Sequence, residues 1–212
     1  MKKLSVIVMA SLLFVLGACG GSDSEDETKK EETKEELKAN DVYEVPANPT
    51  DYQYELYNEL TDALKSDDEA IAKSVVQNFS ANFFTLKNKG SAEEVGGLTY
   101  LPEGNREDFQ VFAMNYVYAN YQTIIDEHGK ENLPEVTKVE VNSTEATTEE
   151  FTTSTGSEEE GTYEESTDEY EGFTITVNIT YADTDVAEDD LKTTATFTVL
   201  KINDRYEIIK MS

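Results

Sequence analysis

The sequence is poor in cysteine, histidine and basic residues. Its 212 residues include one cysteine, one histidine, no tryptophan, and 17 Lys or Arg against 45 Asp or Glu, which gives a formal net charge of −28. One cysteine cannot form a disulfide within the chain, and one cysteine with one histidine cannot build the usual Cys/His zinc site or a Cys–His nucleophilic pair. The shortage of basic residues excludes nucleic-acid binding, because phosphate contacts depend on clusters of Lys and Arg.

The single cysteine, Cys19, follows a short apolar run. The chain begins Met-Lys-Lys, and residues 4–16 are apolar apart from two serines. A run of this length is too short for a membrane span, which needs about 20 apolar residues, but it is typical of a signal peptide. It ends in Leu16-Gly17-Ala18-Cys19, which resembles the bacterial lipobox. We therefore expect residues 1–18 to be a lipoprotein signal peptide cleaved between Ala18 and Cys19. Lipidation of the Cys19 thiol would then anchor the protein to the extracytoplasmic face of the cell membrane.

The segment that follows is acidic and has little apolar surface. Residues 1–18 hold two lysines and no acid, so 15 basic and 45 acidic residues remain, a formal charge of −30. Residues 20–41 contain one aliphatic side chain larger than alanine, Leu37, which cannot offset the entropy of ordering the segment. We predict a disordered tether over residues 19–44 and a single domain over residues 45–212. Within the domain, residues 145–171 are predicted to be an acidic, flexible hairpin insertion.

Capping patterns place two helices at the start of the domain. Thr50 and Gln53 form a capping box, followed by an apolar stripe with a spacing of four residues. Ser66 and Glu69 form a second capping box, which predicts a helix from Ser66 that ends at Gly90.

A third helix is predicted over residues 105–128. Acidic residues occupy its first turn and Gly129 follows its last turn, as helix termini favour. Aromatic and aliphatic side chains occur most of the way around this helix, so we expect it to be covered on two sides.

The C-terminal half is dominated by strand patterns. Residues 173–181 alternate strictly between apolar and polar, and residues 136–141, 191–202 and 206–211 show similar patterns, with a tight turn at Asn203-Asp204. Short connections between the last three strands predict an antiparallel meander. The expected fold class is therefore α+β, with three N-terminal helices packed on a curved antiparallel sheet of about four strands.

This element order resembles the nuclear transport factor two-like, or cystatin-like, cone fold over roughly residues 50–212. The sequences NFFTLKNK at 82–89, VGGL at 95–98 and REDF at 106–109 are similar to those of a group of uncharacterised surface lipoproteins from low-GC Gram-positive bacteria. The resemblance implies a cone-shaped α+β domain, with residues 145–171 at the tip of a long hairpin. It implies no particular activity.

Four aromatic residues are candidates for lining a pocket, because enzymes of the cone fold use an aromatic pocket with a buried Asp, Tyr or His. They are Phe112, Tyr116, Tyr118 and Tyr121. The simpler interpretation is that they form the core between helix and sheet. His128, the only histidine, lies at the predicted end of the third helix, where the helix dipole favours a cation. We identify no catalytic residue.

A weak calcium candidate comprises Asp183, Asp185 and Asp189, whose acidic spacing is similar to that of a calcium loop. Glu188 replaces the glycine and Thr194 replaces the bidentate glutamate that an EF-hand loop needs. Solvated acids in a hairpin loop are the simpler interpretation, and we expect no metal or other cofactor.

Two functions remain open from the sequence. The first is a non-catalytic binding or scaffold module, attached to the membrane by its lipid and recognising an unidentified protein or small molecule. The alternative is a cone-fold enzyme of the isomerase or dehydratase type that acts on a small apolar substrate. A buried carboxylate with a raised pKa inside an apolar cavity would favour the enzyme.

Overall fold

The computed structural model describes residues 37–155, 162 and 164–212. The helices are α1 (Asp51–Ala63), α2 (Asp68–Phe84), α3 (Arg106–Phe112) and α4 (Tyr121–His128), and the strands are β1 (Val136–Thr155), β2 (Glu164–Tyr181), β3 (Thr194–Ile202) and β4 (Arg205–Met211). The strands form one antiparallel sheet in the order β1-β2-β3-β4. The predicted α+β class, with helices preceding a four-stranded antiparallel sheet, is confirmed. The predicted signal peptide, its cleavage site at Ala18 and the lipidation site at Cys19 lie outside the described residues.

Local capping sets the starts of α1 and α2. The capping box at Thr50 is confirmed: its N–H donates to Gln53 Oε1 at 2.9 Å and its hydroxyl accepts from Gln53 N at 3.3 Å. The predicted start of α2 at Ser66 is wrong by one residue, because the cap is Asp67, whose carboxylate accepts from Ala70 N at 2.9 Å. Ser66 instead belongs to the turn that ends α1, where its N–H donates to a carbonyl of that helix.

Helix α2 ends at Phe84 and not at Gly90 as predicted. Thr85 is extended, and the N–H groups of Leu86 and Lys87 donate to Pro134 O at 2.8 and 3.1 Å. The Thr85 hydroxyl accepts from the N–H of the first residue of β1 at 3.0 Å. The entry to β1 therefore takes the hydrogen bonds that a longer helix would use, and residues 85–97 become a loop.

The predicted single helix over residues 105–128 is interrupted. Between α3 and α4 lies a π-helical turn, Ala113–Val117, closed by a bond from Tyr118 N to Ala113 O at 2.8 Å. Residues five apart in a continuous α-helix point about 140° away from each other, whereas here both Ala113 and Tyr118 are buried. The extra residue in the turn therefore directs Tyr118 into the core. Gly129, with φ of 88°, ends α4 as predicted.

Strand β2 follows its predicted alternation, whereas the predicted alternation of β3 fails over residues 197–200, which are all buried. Ile175, Val177 and Ile179 of β2 are buried, and Ala195, Phe197 and Val199 of β3 face the same core. Asn203 and Asp204 both have positive φ, 49° and 64°, and form the predicted tight turn between β3 and β4. Helix α2 packs against all four strands, so the core lies between α2 and the sheet.

Aromatic rings fill that core. Phe79 lies 5.2 Å from Phe83 and 5.6 Å from Phe197, and Phe83 lies 5.7 Å from Tyr118, measured between ring centroids. All four side chains are fully buried. Because these rings come from α2, β3 and the end of the π-helical turn, they join the helical layer to the sheet.

The β1–β2 hairpin extends well beyond the rest of the sheet. Its pairing continues to Thr155 opposite Glu164, whereas β3 pairs with β2 only as far as Gly172. Most of the segment 145–171 is therefore a two-stranded arm. A β-carbon added to Gly104 would stand 2.8 Å from Ser154 Oγ, so the far end of β1 lies against the turn that precedes α3.

Candidate functional site

A cleft of about 430 Å³ opens beside the loop that follows α2. Its walls are the segment 44–48, the loop 94–97 and the 3₁₀ turn Leu98–Tyr100, and Asn82, Asn88 and Lys89 contribute polar groups. Val45, Pro46 and Leu98 add apolar surface. The volume lies within the range of small-molecule sites, and an apolar lining with a few placed polar groups is typical of them.

Asn88 ties the loop to the N-terminal segment. Its Nδ2 donates to Asn48 O and to Gln53 Oε1, both at 2.8 Å. Gln53 is itself fully buried and donates through Nε2 to Ala81 O of α2 at 2.9 Å. Asn88 Oδ1 is buried without a hydrogen-bond partner among the described residues. The wall of the cleft is therefore held from α1, α2 and the 44–48 segment together.

The backbone of Lys89 forms two hydrogen bonds, and its side chain is buried. Its N–H donates to Leu86 O at 3.0 Å and its carbonyl accepts from the Tyr121 hydroxyl at 2.7 Å. The residue is only 7% exposed. Within the described part of the chain its ammonium has neither a hydrogen bond nor an ion pair. Burial lowers the pKa of Lys89 to about 8, and the negative charge of Glu94 opposes that shift.

Gly96 and Gly97 close the cleft against α2. A β-carbon on Gly96 would stand 2.0 Å from Asn82 O and 3.0 Å from Lys89 Nζ. A β-carbon on Gly97, whose φ is 82°, would stand 2.9 Å from the ring of Phe79. Glycine is therefore required at both positions, and Gly96 is the point where the loop, the helix and the lysine ammonium approach one another.

The four aromatic residues considered as pocket lining are placed in two different environments. Tyr118 is fully buried and Tyr121 nearly so, whereas Phe112 is 46% and Tyr116 is 76% exposed. Phe112 and Tyr116 stack on the surface with their centroids 5.1 Å apart. None of the four lines the cleft at Lys89. The exposed pair also contradicts the expectation that the third helical segment is covered on two sides.

The Tyr118 hydroxyl forms hydrogen bonds with α2 and with the glycine loop that lines the cleft. It donates to Phe83 O at 2.5 Å and accepts from Gly96 N at 3.3 Å. Burial raises the pKa of Tyr118, and the hydrogen bond from Gly96 opposes this only in part. The hydroxyl therefore stays protonated over the physiological range and links the glycine loop to α2.

A second, shallower cleft of about 470 Å³ lies beside the start of α1. Its lysine, Lys87, forms an ion pair with Glu135 at 2.9 Å, and both side chains are partly exposed. The two neighbouring lysines therefore differ, because Lys87 has a counter-ion and is partly exposed, while Lys89 has no counter-ion among the described residues and is buried except at the cleft.

The chain also contains a buried carboxylate, Glu207 of β4. Burial raises the pKa of Glu207, and the charges of Arg205 and Arg106 oppose the shift. Arg205 Nε lies 3.0 Å from Glu207 Oε1, its guanidinium donates to Thr99 O, and it lies 4.8 Å from the ring of Tyr43. Glu207 lines neither cleft, and its partner Arg205 joins β4 to the segments before α1 and α3.

The remaining candidates are on the surface. Asp183, Asp185 and Asp189 are exposed, and the residues that the structure describes contain no group of three or more His, Cys, Asp or Glu placed to hold a metal ion. His128 is in the last turn of α4, with Nε2 3.9 Å from the neighbouring Glu127 carboxylate.

Reasoning from the sequence alone missed Lys89. The available signal was its position: it follows a buried aromatic helix end and precedes the Gly96-Gly97 pair, in the two stretches 82–89 and 95–98 that carry the lipoprotein resemblance. Those stretches now face each other across the contact between Gly96 and Asn82.

Comparisons with protein-family models, with curated proteins and with solved structures find no match for this chain. Over the described ranges, no helix has the length and apolar character needed to cross a membrane.

Proposed function

We propose that the protein is a lipid-anchored, extracytoplasmic binding module without catalytic activity, and that the cleft at Lys89 is its binding site. The observation that carries the proposal is a buried lysine, Lys89, whose ammonium has neither a hydrogen bond nor an ion pair among the described residues and which lines a surface cleft of ligand size. Such a group is unfavourable for folding alone, so its presence is best explained by a ligand that contacts it.

The filled core supports binding over catalysis. Cone-fold enzymes hold their substrate between the helices and the sheet, and in this chain Phe79, Phe83, Phe197 and Tyr118 occupy that space. A small apolar substrate would have to displace these rings, which contact one another closely.

The buried carboxylate gives the isomerase or dehydratase alternative little support. Glu207 has a raised pKa, as a general acid would, but Arg205 lies against it and neither cleft reaches it. A catalytic carboxylate must lie within hydrogen-bonding distance of the substrate proton that it transfers.

Lipid anchoring rests on the Leu16-Gly17-Ala18-Cys19 motif. Two acyl chains on one thiol give stable membrane attachment where a single chain would not. We expect Cys19→Ser to leave the chain unprocessed and to remove the shift in mass that lipidation produces, as measured by mass spectrometry of the membrane fraction. An unchanged mass and unchanged processing in the variant would refute the anchor.

Binding is tested by incubating the full chain, in detergent, with surface extract and with pools of small metabolites. Mass spectrometry then identifies what remains bound after washing. The proposal expects one class of compound or protein to be retained chemically unchanged by the wild type and lost with Lys89→Met, while Lys87→Met retains it. Recovery of a converted product in place of the added compound would refute the non-catalytic assignment.

A further inference from the structure

Lys89 lacks the partner that a buried ammonium normally has. The neighbouring acid, Glu94, accepts a hydrogen bond from Gly90 N at 2.8 Å and forms no ion pair with Lys89. Buried charges in proteins are usually paired. Only 7% of Lys89 is exposed, and a β-carbon on Gly96, which also lines the cleft, would stand 3.0 Å from its Nζ.

The cleft presents two kinds of surface. Its lining includes the apolar residues Val45, Pro46 and Leu98 together with Lys89. A ligand that matches both has an apolar body and one anionic group. The hydrogen bond between a lysine ammonium and a carboxylate is charge-assisted and about twice as strong as a neutral one.

We infer that the cleft at Lys89 binds a small monocarboxylate with an apolar body, whose carboxylate is the counter-ion of the Lys89 ammonium. This inference rests on the proposed binding function and names the chemistry of its ligand. The carboxylate comes either from a free branched-chain acid or from the C-terminus of a peptide that ends in an apolar residue.

A single negative charge fits the surroundings better than a phosphate dianion. Glu44 and Glu94 also line the cleft, so a ligand of higher charge would meet two carboxylates with only one lysine to offset them. A monoanion is paired by Lys89, and its apolar part is directed towards the 44–48 segment.

The test is isothermal titration calorimetry on the full chain in detergent, with four probes. They are 3-methylbutanoate, 3-methylbutanamide, N-acetyl-leucine and N-acetyl-leucinamide, so each acid has a neutral partner of nearly the same shape. We expect the acids to bind at least about tenfold more tightly than their amides, which corresponds to the loss of one charge-assisted hydrogen bond. Tighter binding of N-acetyl-leucine than of 3-methylbutanoate would indicate a peptide C-terminus, and equal binding would indicate a free acid.

Two variants assign the effect to the cleft. Lys89→Met should abolish the preference for acids, while Lys87→Met, which removes a lysine that already has a counter-ion, should preserve it. Equal affinity for acids and amides, absence of acid binding, or an acid preference that survives in a folded Lys89→Met protein would each overturn the inference. Retention of some other ligand in the capture experiment would still support a binding module, so failure of this inference can be distinguished from failure of the proposed function.

Discussion

Replacing Lys89 with methionine is expected to raise the free energy of unfolding at neutral pH. This gain should disappear as the pH rises above about 10. Methionine keeps a similar length and an unbranched shape but carries no charge. Lys89 is 7% exposed and has no ion pair within the described residues. The substitution therefore removes a cost of burial without breaking a hydrogen bond.

The size of the effect follows from the pKa. Burial lowers the pKa of Lys89 from 10.5 to about 8. A shift of that size corresponds to about 3 kcal/mol of lost stability when the lysine is protonated in both states, at about 1.4 kcal/mol per pKa unit.

The sign depends on which state binds more protons. Between pH 8 and 10.5 the unfolded chain holds a proton on this lysine more often than the folded chain does, so wild-type stability rises with pH in that window. The advantage of Lys89→Met should therefore be about 3 kcal/mol at pH 7, about 2 kcal/mol at pH 9 and under about 0.5 kcal/mol at pH 10.5.

The assay is urea unfolding of the full chain, followed by far-ultraviolet circular dichroism at those three pH values. Burial raises the pKa of Tyr43, Tyr100 and Tyr118 in the folded protein, so these side chains titrate within the tested range mainly in the unfolded chain. This contribution is common to both proteins and cancels in the difference. Lys87→Met is the matched control, because Lys87 is ion-paired with Glu135 and partly exposed, and it should give no stabilisation at pH 7. A destabilised Lys89→Met protein at pH 7, or a difference that does not shrink with rising pH, would show that the ammonium is solvated or paired and would refute the reasoning.

Three further substitutions test the packing around the cleft and the start of α2, each by urea unfolding. Gly96→Ala should lower the free energy of unfolding by about 3 kcal/mol or more, because its β-carbon would stand 2.0 Å from a backbone oxygen of α2. Gly90→Ala is the control: its β-carbon would meet only a flexible glutamate side chain, and the substitution should cost under about 1 kcal/mol. Tyr118→Phe should cost about 1–3 kcal/mol because it leaves a buried carbonyl without its donor; no loss would show that the bond is dispensable. Asp67→Ala should cost about 1 kcal/mol and Ser66→Ala under about 0.5 kcal/mol; the reverse order would restore Ser66 as the cap.

The parts of the fold that the sequence predicted depend on local patterns. Alternation over residues 173–181 predicted a half-buried strand, because neighbouring side chains of a strand point to opposite faces whatever the rest of the chain does. The capping box at Thr50 was equally readable, since its two hydrogen bonds join residues three apart. The same locality made the turn at Asn203-Asp204 predictable.

The errors arose where distant residues decided the outcome. Helix α2 stops at Phe84 because Pro134, far along the chain, accepts the hydrogen bonds of Leu86 and Lys87. The third helix is interrupted because Tyr118 must reach the carbonyl of Phe83 inside the core. The periodicity of each segment predicts neither of these contacts with distant residues.

By itself, the sequence determined the fold class, the order of its elements and the acidic character of the chain, and it contains the motif on which the proposed lipid anchor rests. Tertiary structure alone decided where the candidate site lies. Lys87 and Lys89 are two residues apart and chemically identical in the sequence, yet one meets Glu135 at the surface and the other is enclosed beside Gly96. The difference comes from burial and from the placement of counter-ions, which depend on residues brought together from across the fold.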